Sequence, residues 1–191
     1  MRLTAVTLFL AVFAVPAGRG QTESCATISP ESSISEIGAF SDMQYTAEHE
    51  YGHIVRLWRA GSCVFGLFEA NQGLQGDTPI GELQRVTHNP STGALSFSVK
   101  LTLGATGTVG GKMEPTHDLF TFSGTLSSAR MTGTLEHIVQ NAANANAERV
   151  PATLSASPSD TDVMHGTATY GAWRAKWDPI LKFRGPKWSA Q

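Results

Sequence analysis

Between residues 94 and 104 every second position is apolar: Leu95, Phe97, Val99, Leu101 and Leu103 alternate with Ser96, Ser98, Lys100 and Thr102. A two-residue period puts all five apolar side chains on one side of a strand, whereas a helix would scatter them around its circumference. Asn89-Pro90-Ser91-Thr92-Gly93 in front of it has hairpin-loop chemistry, with proline in the turn and glycine for a left-handed last residue. The partner strand is predicted over residues 80–88, with weaker alternation. In a second hairpin, Phe120, Phe122, Gly124 and Leu126 share one face. Ser127-Ser128-Ala129 turns the chain, and Met131, Gly133, Leu135 and His137 continue that face. Gly124 and Gly133 predict close packing or a bend. A third hairpin is predicted from residues 53–59 and 63–70 around Ala60-Gly61-Ser62, apolar on both faces, and a last strand over residues 149–156.

The C-terminus changes period. Tyr170, Trp173, Trp177 and Leu181 recur at helical spacing, with Lys176 and Lys182 off the stripe. Asp178-Pro179 predicts a break or restart of that helix, as cap and first residue. The stripe is expected to cover or plug the sheet. The expectation is therefore a mainly β protein, an antiparallel meander forming a small barrel or strongly curved sheet, with a short C-terminal helix. The boundaries read as an N-terminal arm over 21–50, the meander over 51–156, and the helix and tail over 157–191.

Residues 1–20 read differently. Met1-Arg2, an apolar run through Val15 and the small residues of Val15-Pro16-Ala17 and Gly18-Arg19-Gly20 have the form of a secretory signal peptide, cleaved after Ala17 or Gly20. The run is too short to span a membrane, so the product is expected in the periplasm or secreted, without a membrane span. Export gives the two cysteines a meaning: Cys25 and Cys63 are expected to form one disulfide. Charged residues make up only 16% of the chain and the formal net charge is −2, so no basic footprint for nucleic acid exists. With 41% hydrophobic residues, a real core is available.

One motif names a chemistry. His49-Glu50-Tyr51-Gly52-His53 resembles the zinc-peptidase signature HExxH, which implies His49 and His53 as zinc ligands and Glu50 as general base. That spacing works only on a helix. On a strand the two histidines lie roughly 13 Å apart. Gly52 is a poor helix residue, and Glu69, the nearest downstream acid, ends a predicted strand. The strand is the favoured reading and a zinc hydrolase the alternative. Elsewhere, His117 and Asp118 are adjacent and would face opposite sides of a strand, and His137 alone among the histidines falls on the inward face of the second hairpin.

The alternating strands, tight turns and terminal helix are similar to a calycin-type meander, the architecture of lipocalins and avidins, over residues 51–156. The chain also looks like uncharacterised bacterial exported proteins. The resemblance is architectural and transfers no functional residue. The expected function is non-catalytic, without a cofactor: binding of a small apolar ligand or a partner, with Phe97, Phe122, Met131 and His137 as candidate contacts. A protein-interaction module using exposed loops and the Trp-bearing tail is a further alternative.

Overall fold

A computed structural model describes residues 28–74 and 78–188. The signal-like segment and Cys25 lie outside the described residues; among these, Cys63 has no disulfide partner. The strands are β1 (Ser35–Ser41), β2 (Gln44–Tyr45), β3 (His49–Ala60), β4 (Cys63–Leu74), β5 (Ile80–Glu82), β6 (Gln84–His88), β7 (Ala94–Leu101), β8 (Ala105–Gly107), β9 (Met113–Pro115), β10 (Asp118–Leu126), β11 (Arg130–Val139) and β12 (Glu148–Ala156). A short helix α1 (Pro158–Thr161) and a long one, α2 (Tyr170–Arg184), follow.

The main sheet runs β5-β4-β3-β1-β12-β11-β10-β7-β6, every pair antiparallel. Its two end strands, β5 and β6, are consecutive in the chain and separated only by Leu83. They act as one interrupted strand, hydrogen-bonded to β4 at its start and to β7 at its end, which brings the sheet round on itself. The interruption is local: Arg85 takes a left-handed backbone at φ 51°, and the β6–β7 register slips beside it. The result is a nearly closed, barrel-shaped up-and-down sheet. The seam between the first and last strands is thin, Phe40 and Ser41 pairing with Ala156 and Ser155.

β10 and β11 form the predicted half-buried strands; β7 keeps the predicted alternation but its outward Ser98 and Lys100 are buried as well, and Phe97, Phe122 and Leu135 are in register. Gly124 and Gly133 are directly opposed. A Cβ on Gly124 would stand 2.2 Å from the Thr132 carbonyl oxygen, and one on Gly133 2.3 Å from that of Ser123. These two positions admit only hydrogen, so the wall here bends tightly without side chains.

The segment read as an N-terminal arm, residues 21–50, supplies β1, which sits between β3 and β12. A bulge between Glu36 and Gly38 shifts its alternation, so Phe40 points into the barrel while Ala39 points outward. The expected break at Pro179 does not occur. α2 runs through it and is capped instead by Thr169, whose hydroxyl accepts from the Ala172 amide at 3.3 Å. Proline removes one helical hydrogen bond, but Trp177 before it and Ile180 and Leu181 after it pack on the same outer cluster and hold both halves in line.

Two apolar layers result. The barrel interior holds residues such as Val55, Phe68, Phe97, Val99, Phe120, Phe122, Met131 and Leu154. The second layer lies outside the barrel, where α2 covers β3–β5: Trp58 meets Trp173 and Trp177 edge-on, with ring centroids 5.7 and 6.0 Å away. The helix thus covers the wall and does not plug the barrel.

Candidate functional site at one mouth of the barrel

The inward face is not uniform along the strands. Towards one end it turns from apolar to polar on five neighbouring strands. On β3 it passes from Leu57 and Val55 to His53, Tyr51 and His49; on β10 from Phe122 and Phe120 to Asp118; on β11 from Leu135 to His137. On β12 it passes from Ala152 to Val150 and Glu148, and just beyond β1 from Phe40 to Asp42. At the other end Leu95, Met131, Ile37, Val86 and Leu126 keep the inside apolar, with Arg59 at the rim. One end is therefore sealed, and the other offers polar and aromatic groups.

Two imidazoles are fixed at this mouth, each by a carboxylate. His53 Nδ1 lies 3.2 Å from Asp42 Oδ1, and the His53 backbone amide donates to the same oxygen at 2.6 Å. His137 Nε2 lies 2.8 Å from Asp118 Oδ1. The other Asp118 oxygen accepts the Leu103 amide at 2.8 Å and the Thr116 hydroxyl. Both rings rest on Phe120: His137 is stacked flat on it at 4.2 Å, and His53 meets its edge at 5.9 Å and also touches Phe68. Phe120 is buried, while about a fifth of each imidazole side chain reaches solvent.

Gly52 makes the first pair possible. Its φ of 121° is a conformation side chains avoid, and a Cβ there would stand 2.9 Å from both the Asp42 carbonyl and its carboxylate.

Burial pushes both carboxyls up, but hydrogen bonds outweigh it. Those from His53 hold Asp42 below the usual carboxylate range, and those from His137, Thr116 and Leu103 do the same for Asp118. Both carboxylates are therefore ionised at neutral pH and accept the facing N–H, leaving Nε2 of His53 and Nδ1 of His137 free. Because both folded-state values are depressed, the stability they contribute is complete above pH about 4 and is lost as pH falls through the depressed values. Asp118→Asn is expected to make the acid loss of stability shallower below pH about 4. Denaturant midpoints measured against pH for the two proteins check this.

Among the described residues neither imidazole has a hydroxyl or thiol within hydrogen-bond distance, and no group of three or more His, Cys, Asp or Glu is placed to hold a metal ion. The HExxH stretch is part of strand β3. His49 stacks on Tyr51 and His53 turns to Asp42. Glu50 faces the opposite surface and accepts from Asn71 at 2.9 Å. Strand alternation thus separates the three side chains that the zinc chemistry requires together.

Of the other candidates, His137 reaches the mouth. Phe97, Phe122 and Met131 lie deeper, at 2%, 1% and 0% exposure. Those values leave no room for a water molecule against them, and Phe97 stacks on Phe122 at 5.3 Å. These three residues pack against the other inward side chains and help hold the barrel together. The sequence offers His53 only as a zinc ligand and Asp118 only as a neighbour of His117, and it does not single out Asp42. The available signal was parity: His53, Val55 and Leu57 share one side of a strand.

No protein-family model, curated protein or solved structure matches the chain.

No described helix is long and apolar enough to cross a membrane.

Proposed function

We propose that this is an exported, non-catalytic binding protein that takes a small, largely apolar molecule carrying a hydrogen-bond donor at the histidine-lined mouth. The observation that carries the reading is the pair of carboxylate-held imidazoles on Phe120, at the end where the inward face opens to solvent. Their free nitrogens are acceptors in the neutral ring, and Tyr51 and Val150, both exposed at the mouth, supply apolar contact. Each ring is oriented before a ligand arrives, which lowers the entropy lost on binding. The order of strands is similar to that of calycin-type meanders, whose members bind small molecules; this is support by analogy of fold alone. Export rests on the sequence of residues 1–20.

Titration with N-phenylnaphthylamine, a neutral apolar fluorophore with one N–H, tests the proposal. Saturable fluorescence enhancement is expected. His53→Ala and His137→Ala should each weaken it about tenfold, the loss of one hydrogen bond and a ring contact. His165→Ala, which removes an exposed histidine paired with Glu36, should leave it unchanged. No saturable binding, or equal affinity in all four proteins, would remove the mouth as the site.

A further inference from the structure

A second site is built on the outside of the barrel. α2 and the segment after it leave a groove of about 460 Å³ against β5–β7, lined by Glu82, Lys100, Arg174, Asp178, Lys182 and Pro186 among others. Its charges divide unevenly. Arg174 binds Glu82 at 2.7 Å and also pairs with Asp178, which leaves these three with one negative charge. The two lysines turn the lining net positive by one charge, and neither is in an ion pair among the described residues. Lys182 is exposed on α2. Lys100 is only 8% exposed, on the outward face of β7, and has neither a carboxylate nor a hydrogen-bond partner among the described residues. Its one recorded neighbour is the Trp188 ring, 4.9 Å below the ammonium.

The Lys100 stem is buried while its ammonium faces the groove, where no hydrogen-bond acceptor among the described residues meets it. Trp188 does not replace one, because a ring face supplies only part of what a hydrogen-bonded anion does. Trp188 is itself fixed: its Nε1 donates to the Leu101 carbonyl at 2.9 Å, and its ring stacks on His117. The ammonium is therefore held at the groove by a rigid support.

We propose that this groove binds a small-molecule oxyanion, a carboxylate or a phosphate, with Lys100 as its anchor and Lys182 as a second, solvent-facing contact. The anion supplies the hydrogen-bond acceptors that the Lys100 ammonium lacks among the described residues, and Leu181 and Pro186 give a short apolar body a place to lie. This inference is independent of the mouth, since no residue of the groove belongs to it.

Calorimetric titration of the full chain with inorganic phosphate and, separately, with hexanoate tests it, with ionic strength held constant by chloride. At least one of the two is expected to bind in the millimolar range. Binding of phosphate alone assigns a phosphoryl ligand, and binding of hexanoate alone a carboxylate with an apolar tail. Lys100→Met keeps the aliphatic stem and should weaken binding about tenfold. Lys182→Met should weaken it less, and Lys112→Met, in an exposed loop, not at all. Lys100→Met is expected to fold with undiminished stability in the absence of anion, because it keeps the buried part of the side chain and removes no hydrogen bond. If it does not fold, Lys182→Met alone decides, and unchanged affinity there overturns the proposal. So does the absence of heat with both anions, or wild-type affinity in folded Lys100→Met.

Discussion

Trp58→Ala is expected to lower the free energy of unfolding by about 3–5 kcal/mol, read from denaturant midpoints at constant slope. Trp58 is completely buried on the outer face of β3, where its ring meets Trp173, Trp177 and Phe65. It is the hub through which the barrel wall holds α2. Removing the indole leaves a cavity between two rigid elements, which cannot close by the shift of one side chain. Trp58→Phe should cost much less. It keeps a ring in the site, and the indole N–H it deletes has no hydrogen-bond partner to be left behind. Phe183→Ala, at the solvent side of the same helix and 81% exposed, should change little. Equal effects of Trp58→Ala and Phe183→Ala would mean that α2 does not dock as described.

The second large effect is electrostatic. Arg56→Leu is expected to destabilise by about 3–5 kcal/mol, through the charge it leaves behind. Arg56 and Glu69 face outward on adjacent strands, 2.7 Å apart, and both side chains are nearly shut off from water. Arg56 also donates from Nε to the Asp160 carbonyl at 3.1 Å, fastening α1 over β3. Without the guanidinium, Glu69 must stay charged in a desolvated site or take up a proton. Adding Glu69→Leu should recover part of the loss, since it removes the more buried carboxylate, while the Asp160 carboxylate, 3.8 Å from the guanidinium, still loses its partner. The double variant therefore separates the ion pair from simple packing. If it is no better than Arg56→Leu, the loss comes from the α1 contact and not from the buried carboxylate.

The parts of the fold legible in the sequence were those whose two faces differ in polarity. β7, β10 and β11 show this directly, because Phe97, Phe122 and Leu135 each alternate with polar neighbours, even where, as at Ser98 and Lys100, the polar face is covered. β3 and β4 were legible as a hairpin from their two-sided apolar runs, which the structure explains: the barrel interior lies on one side and α2 on the other. β1 was illegible, because its bulge between Glu36 and Gly38 breaks the two-residue period within a seven-residue strand. Pro179 misled for the opposite reason, since a local rule was overridden by tertiary packing on both sides of the ring.

The site divides in the same way. His137 stood out because its face is otherwise apolar. Its carboxylate did not, because Asp118 and His137 are brought together by strand register across a hairpin, and Asp42 and His53 by the return from β1 into β3. Register is a property of pairing, and no periodicity within one strand reports it. For His53 the HExxH pattern suggested the wrong partners, since its spacing grouped it with His49 and Glu50. Parity along β3 groups it instead with Val55 and Leu57, and the structure places it over Phe68 and Phe120.

The central claim is that a ligand sits on the imidazoles at the mouth and does not enter the filled interior. NMR of the labelled protein titrated with N-phenylnaphthylamine tests it most directly. The ring resonances of His53, His137 and Tyr51 and the methyls of Val150 are predicted to shift, while the methyls of Val99 and Met131 stay in place. Shifts confined to Val99 and Met131, with His53 and His137 unmoved, would contradict it.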